Sequence, residues 1–137
     1  MIESYLLAQE LDRVVRTLDA HMHRHMPKVD VGRVGPMGGF LLLYLEALEP
    51  CAIQALADAT GRDNSQLTRL IRSLEMKGLI TRRPDPTAGR VARLELTYDG
   101  REFLLKSKAM LTAVVEEVAA PLDARERQAF FEILSKL

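Results

Sequence analysis

Between Ile53 and Leu96 the apolar residues change their spacing from steps of three and four to steps of two. Few folds accommodate such a change within so short a stretch. Ile53, Leu56 and Ala57 share one side of a short helix that Gly61 would close. Asp63-Asn64-Ser65 then supplies helix-capping residue types. Behind them Leu67, Leu70, Ile71 and Leu74 stand at i, i+3, i+4 and i+7, a single apolar stripe. Gly78 stands where a left-handed residue ends a helix. Two strand segments follow, 79–83 and 91–96, and in the second Ala92, Leu94 and Leu96 alternate with Arg93 and Glu95. The Pro- and Gly-containing stretch 84–90 between them reads as a turn that reaches outwards.

Helices flank this block. Leu7, Leu11, Val14, Leu18, Met22 and His25 recur at helical steps over 2–26, with Pro27 as the stop. Pro36 suits a first helical turn and opens an apolar helix to about Leu48, which Glu49-Pro50 breaks. Thr97 is the expected N-cap of a fifth helix from Tyr98 to about Ala120, with Leu104, Leu111, Val115 and Val118 apolar. Asp123 and Glu126 have capping-box spacing at the start of a sixth, with Phe130, Phe131, Leu134 and Leu137 apolar. The expected fold is therefore mainly α (α+β).

At 137 residues, 47% hydrophobic and 28% charged, the composition is that of one folded domain rather than a disordered chain. The longest apolar run, 40–45, falls far short of the roughly 20 residues that span a bilayer. Met1-Ile2-Glu3-Ser4 lacks the order of a secretory signal, and the lone Cys51 cannot staple the chain. The expectation is a soluble, cytoplasmic protein with no membrane partner.

Nineteen basic and nineteen acidic residues cancel overall. From Arg62 to Arg93, however, eight cations face three anions, a segment of +5 in a remainder of −5. Such a block is the footprint of a polyanion partner or, on charge alone, an ordinary solvated face. Its setting strengthens the first without removing the second. A short helix, a turn, a polar-faced helix and a two-stranded hairpin form the winged helix-turn-helix arrangement. Its second helix must pack on one side and enter the major groove of double-stranded DNA on the other. The polar side carries Asn64, Ser65, Gln66, Thr68, Arg69, Arg72 and Ser73. Arg can bridge guanine O6 and N7, Asn or Gln can bridge adenine N6 and N7, and hydroxyls suit phosphates. Arg82, Arg83 and Arg90 of the hairpin would meet the backbone or the minor groove.

Two runs carry a family resemblance: Leu74-Glu75-Met76-Lys77-Gly78-Leu79-Ile80-Thr81-Arg82, then Asp85-Pro86, and Leu94-Glu95-Leu96-Thr97-Tyr98-Asp99-Gly100. With the order of six helices they resemble the multiple antibiotic resistance regulator (MarR) family over nearly the whole chain. The resemblance implies a single MarR-like domain over 1–137, with a winged helix-turn-helix lobe at 36–97 and a helical dimerisation region at 1–30 and 98–137. It implies an obligate homodimer, a pseudo-palindromic operator and a transcriptional regulator, in the first instance a repressor. It also implies a small aromatic or anionic effector near the junction of lobe and dimerisation region, with His21, His25 and Tyr44 as candidate contacts. One departure stands out. Family wings read Asp-Pro-x-Asp-Arg-Arg, the second Asp bracing an Arg, whereas here those three positions are Ala88, Gly89 and Arg90. A looser wing or a weaker minor-groove contact is the expected result.

The dimer has physical support too, because apolar stripes at both ends of so short a chain need a cover. The remaining candidates are weaker. His21 and His25 stand one helical turn apart and could chelate a metal, but no thiol or carboxylate lies at diagnostic spacing, so no metal or cofactor is expected. Cys51 could sense oxidant, yet its neighbours Glu49, Pro50 and Ala52 offer no cation, and a buried apolar role fits better. Gly35-Pro36-Met37-Gly38-Gly39 matches no phosphate loop, and no nucleophile elbow or zinc-protease motif suggests an enzyme. The rival to DNA readout is a winged helix that docks an acidic protein partner.

Overall fold

A computed structural model describes residues 1–29, 32–85, 87 and 92–137. In chain order the helices are α1 (Ser4–His25), α2 (Gly35–Leu48), α3 (Ile53–Thr60), α4 (Asn64–Met76), α5 (Tyr98–Val118) and α6 (Ala124–Leu134), with strands β1 (Ile80–Pro84) and β2 (Ala92–Leu96) between α4 and α5. The helix and strand types match the sequence expectation. Pro27 does not stop the chain abruptly, however; Met26–Lys28 form one 3-10 turn beyond α1. Such tightened turns are common at helix ends.

The described residues form two units, one of Lys28–Lys108 and one of Met1–Pro27 with Ala109–Leu137. The first has its own core. Leu42, Leu56, Leu67, Ile71 and Leu104 are fully enclosed, and Leu41, Leu45, Leu74, Ile80, Leu94 and Leu96 pack with them. Burying each such side chain stabilises the fold by about 1.5–3 kcal/mol. The antiparallel strands pair with Ile80 opposite Leu96 and Arg82 opposite Leu94. On the other edge of β2, Cys51 and Leu94 exchange backbone hydrogen bonds of 3.2 and 2.7 Å, a single third rung.

The corner from α4 into β1 is built from a few residues. Gly78 takes φ +76°, Leu79 N–H donates to the Leu74 carbonyl at 3.0 Å and Gly78 N–H to that of Glu75 at 2.9 Å. These two bonds are a Schellman motif, which glycine enters without steric cost. Thr97 N–H then donates to the Leu79 carbonyl at 3.1 Å, and Thr97 Oγ1 donates to the Gly78 carbonyl at 2.6 Å. The same hydroxyl accepts from Gly100 N–H at 3.0 Å, capping α5 as expected. Gly100 lies so close that a Cβ there would collide with the Leu79 carbonyl.

The second unit is different. Met22 and Val114 are its buried side chains. Asp123 and Glu126 close a capping box at α6, with bonds of 2.8 and 3.1 Å. Tyr5, Leu7, Leu11 and Val15 of α1 stay exposed, as do Phe130, Phe131 and Leu134 of α6. The α1 stripe read from the sequence thus exists as a helical face but is not covered within one chain at its N-terminal end.

Gly100→Ala should lower the unfolding free energy by about 1–3 kcal/mol, because the backbone it strikes cannot yield. Gly39→Ala, in α2 with nothing within 4 Å, should leave stability unchanged or raise it. Urea denaturation of the two variants checks the contrast.

Candidate nucleic-acid interface

Asp63 caps α4, its carboxylate accepting from Gln66 N–H at 2.8 Å. Leu67, Ile71 and Leu74 face the core, so the opposite side must face solvent. There Asn64, Ser65, Gln66, Arg69 and Arg72 are exposed, and Thr68 and Ser73 are half-buried. A shallow groove runs along this face, lined by Arg69, Arg72, Ser73, Met76 and Lys77. Met76, 84% exposed, belongs to the groove rather than to the buried stripe. Lys77 closes the recognition helix, Asn64 to Lys77, that the family resemblance implies. Its Nζ donates to the Arg33 carbonyl at 2.8 Å, so it is fixed at the end of α4. Arg33 itself has φ +55°. A contact spanning 44 residues leaves no periodic trace in a sequence.

The cations of the block are not equivalent. Arg82 Nε donates to Glu75 Oε1 at 2.8 Å, and Arg83 pairs with Glu95 at 3.3 Å. Exposed pairs of this kind contribute ~0–1 kcal/mol, so a phosphate can compete for either guanidinium. Arg69 and Arg72 have no ion pair among the described residues. Arg93 is held more firmly, by the buried carboxylate of Asp85. Hydrogen bonds from Thr87 and Arg93 hold the Asp85 carboxyl down to about 2, well below the carboxylate range. Arg90, expected at the wing tip, lies outside the described residues, as does Ala88.

His21 and His25 do come together, on one carboxylate that the sequence could not supply. His21 Nδ1 and His25 Nε2 each lie 2.8 Å from an oxygen of Glu117 in α5. Arg24 Nη2 stands 2.6 Å from the same His21 nitrogen. Glu117 can only accept and Arg24 only donate, so that nitrogen serves one of them at a time. The two imidazoles hold the Glu117 carboxyl below its ordinary value near 4.5. No group of three or more His, Cys, Asp or Glu among the described residues is arranged to hold a metal. Tyr44, the third candidate effector contact, is exposed on α2 in the other unit. Cys51 is buried and burial pushes its thiol up, the opposite of what a reactive thiolate needs. No helix among the described residues is long and apolar enough to cross a membrane.

A family model for the MarR family matches residues 39–92. The HTH-type transcriptional regulator YdgJ of Bacillus subtilis is 32% identical over 97 residues, 71% of this chain. YxaD of the same organism, also an HTH-type transcriptional regulator, is 30% identical over 97 residues, covering 71% of this chain and 68% of its own. The chain spans only 59% of the length of YdgJ. Among solved structures, a variant of E. coli MarR complexed with operator DNA superposes with a TM-score of 0.82 at 20% identity, over 95% of this chain and 91% of that one.

Because Glu117 is depressed in the fold, its contribution is present above the ordinary carboxylate pKa and lost as pH falls through the lowered one. Glu117→Gln should therefore melt below the parent at pH 7, and the gap should narrow as pH falls below the ordinary carboxylate value. Equal melting temperatures at pH 7 would show that the carboxylate contributes nothing.

Proposed function

Because the chain belongs to the MarR family, we propose that it is a homodimeric, sequence-specific DNA-binding transcriptional regulator acting on a pseudo-palindromic operator. The observation that carries this reading is the exposed face of α4. Its donors and acceptors, with Arg69 and Arg72 unpaired among the described residues, stand directly behind a stripe whose Leu67, Ile71 and Leu74 are buried. A helix so seated can present that face to the major groove without disturbing its own packing. Asn64, Ser65, Gln66, Thr68, Arg69, Arg72 and Ser73 read the groove, while Arg82, Arg83 and Arg90 contact phosphates.

The apolar residues left exposed on α1 and α6 support the dimer reading. Two copies related by a two-fold axis would cover each other's stripes and match the symmetry of the operator. Repression is the default sign, since a dimer seated on an operator excludes other proteins from it. A small aromatic or anionic effector would act by binding one lobe arrangement better than another, changing operator affinity by its differential affinity for the two.

Fluorescence anisotropy with DNA from upstream of the chain's own coding region, beside random DNA, tests the DNA reading. Arg69→Ala or Arg72→Ala should cost about 1–3 kcal/mol at a base-reading position and narrow the preference over random DNA. Affinity should also fall steeply with salt. Equal, weak binding to both DNAs, unchanged in the variants, would instead point to an acidic protein partner for this face. Sedimentation equilibrium should return twice the 15.4 kDa chain mass. Phe131→Glu should shift it towards one chain, and a monomeric parent would refute the dimer.

A further inference from the structure

At the exit of β1, Asp85 is only 6% exposed although it carries a charge. Its Oδ1 accepts from Thr87 N–H at 2.9 Å and from Thr87 Oγ1 at 2.7 Å. Its Oδ2 accepts from Arg93 Nε at 2.7 Å. The Arg93 guanidinium extends to the Pro50 carbonyl at 3.5 Å, one residue before the Cys51 rung on β2. One carboxylate therefore ties the end of β1, the first part of the hairpin loop and β2 together. Through Arg93 it also reaches the segment ahead of α3. A buried carboxylate with this set of partners is costly to unclasp, since any lost partner leaves charge in a desolvated place.

We propose that Asp85 and Arg93 are positioning residues for DNA binding, a clasp that sets from its base the direction in which the wing leaves the sheet. The family pattern has a second Asp nearer the tip that braces an Arg, and this chain has Ala88 there. The inference rests on the DNA-binding reading above.

Charge and position make opposite forecasts, which makes the clasp testable. Asp85 is an anion within the basic segment, so removing its charge should on Coulomb grounds alone tighten the grip on a polyanion. A clasp forecasts the reverse. The experiment measures the full-length protein on its upstream DNA by anisotropy at several salt concentrations, with Asp85→Asn, Arg93→Lys and Thr87→Val. The expected result is a roughly tenfold loss of affinity for Asp85→Asn, the scale of one lost DNA contact. Arg93→Lys keeps the charge but not the planar fork and should lose a similar factor. Thr87→Val removes one hydroxyl and should lose less. Hydrogen exchange should quicken between residues 80 and 96 and stay unchanged in α4. Should Asp85→Asn fail to fold, Arg93→Lys and Thr87→Val decide the matter. Parent-like or tighter binding by the folded variants overturns the clasp. A parent without sequence preference instead removes the DNA reading, and the clasp falls with it.

Discussion

Everything in the lobe hangs on the backbone of Leu79. Its N–H closes the Schellman motif that ends α4, and its carbonyl accepts from Thr97 at the start of α5. Gly100 presses against the same carbonyl. One residue thus fixes where α4 stops, where β1 begins and how closely the next helix may approach. The Gly-Leu and Thr-x-x-Gly fragments, nineteen residues apart, meet here. Their residue types follow from the geometry: a left-handed φ at Gly78, a hydroxyl that both donates and accepts at Thr97, and no Cβ at Gly100.

The local features were legible in the sequence because their causes are local. The α4 stripe, the Asp63 cap, the Asp123 capping box and the Gly61 and Gly78 stops each depend on residues within one or two helical turns. The pairings were not. Glu117 lies 96 and 92 residues from the histidines it joins, and Lys77 lies 44 from the carbonyl it holds. The missing family Asp at position 88 suggested a loose wing. The Asp85 contacts that bear on this depend on strand register, bringing Arg93 back across the hairpin. No spacing rule on a single strand reveals that.

Counting charge was informative about sign and less so about availability. Eight cations between residues 62 and 93 suggest a uniformly basic surface. In the fold, Arg82, Arg83 and Arg93 each have a carboxylate partner, while Arg69 and Arg72 on α4 have none among the described residues. Two unpaired guanidinium groups therefore stand on the helix face, whereas those described on the hairpin are each paired. A rigid helix presents those two guanidinium groups at a fixed spacing, where side chains on a loop would not.

The two units also differ in how they resist heat. Lys28–Lys108 encloses a continuous apolar cluster, while the terminal unit buries only Met22 and Val114. With so little of its own surface buried, the terminal unit should open at a smaller free energy than the lobe. Helicity followed through a thermal scan then mixes two processes, and one midpoint describes neither. Any association that covers the terminal stripes couples the first process to chain concentration by mass action. Dilution would melt one end of the molecule while the other kept its fold.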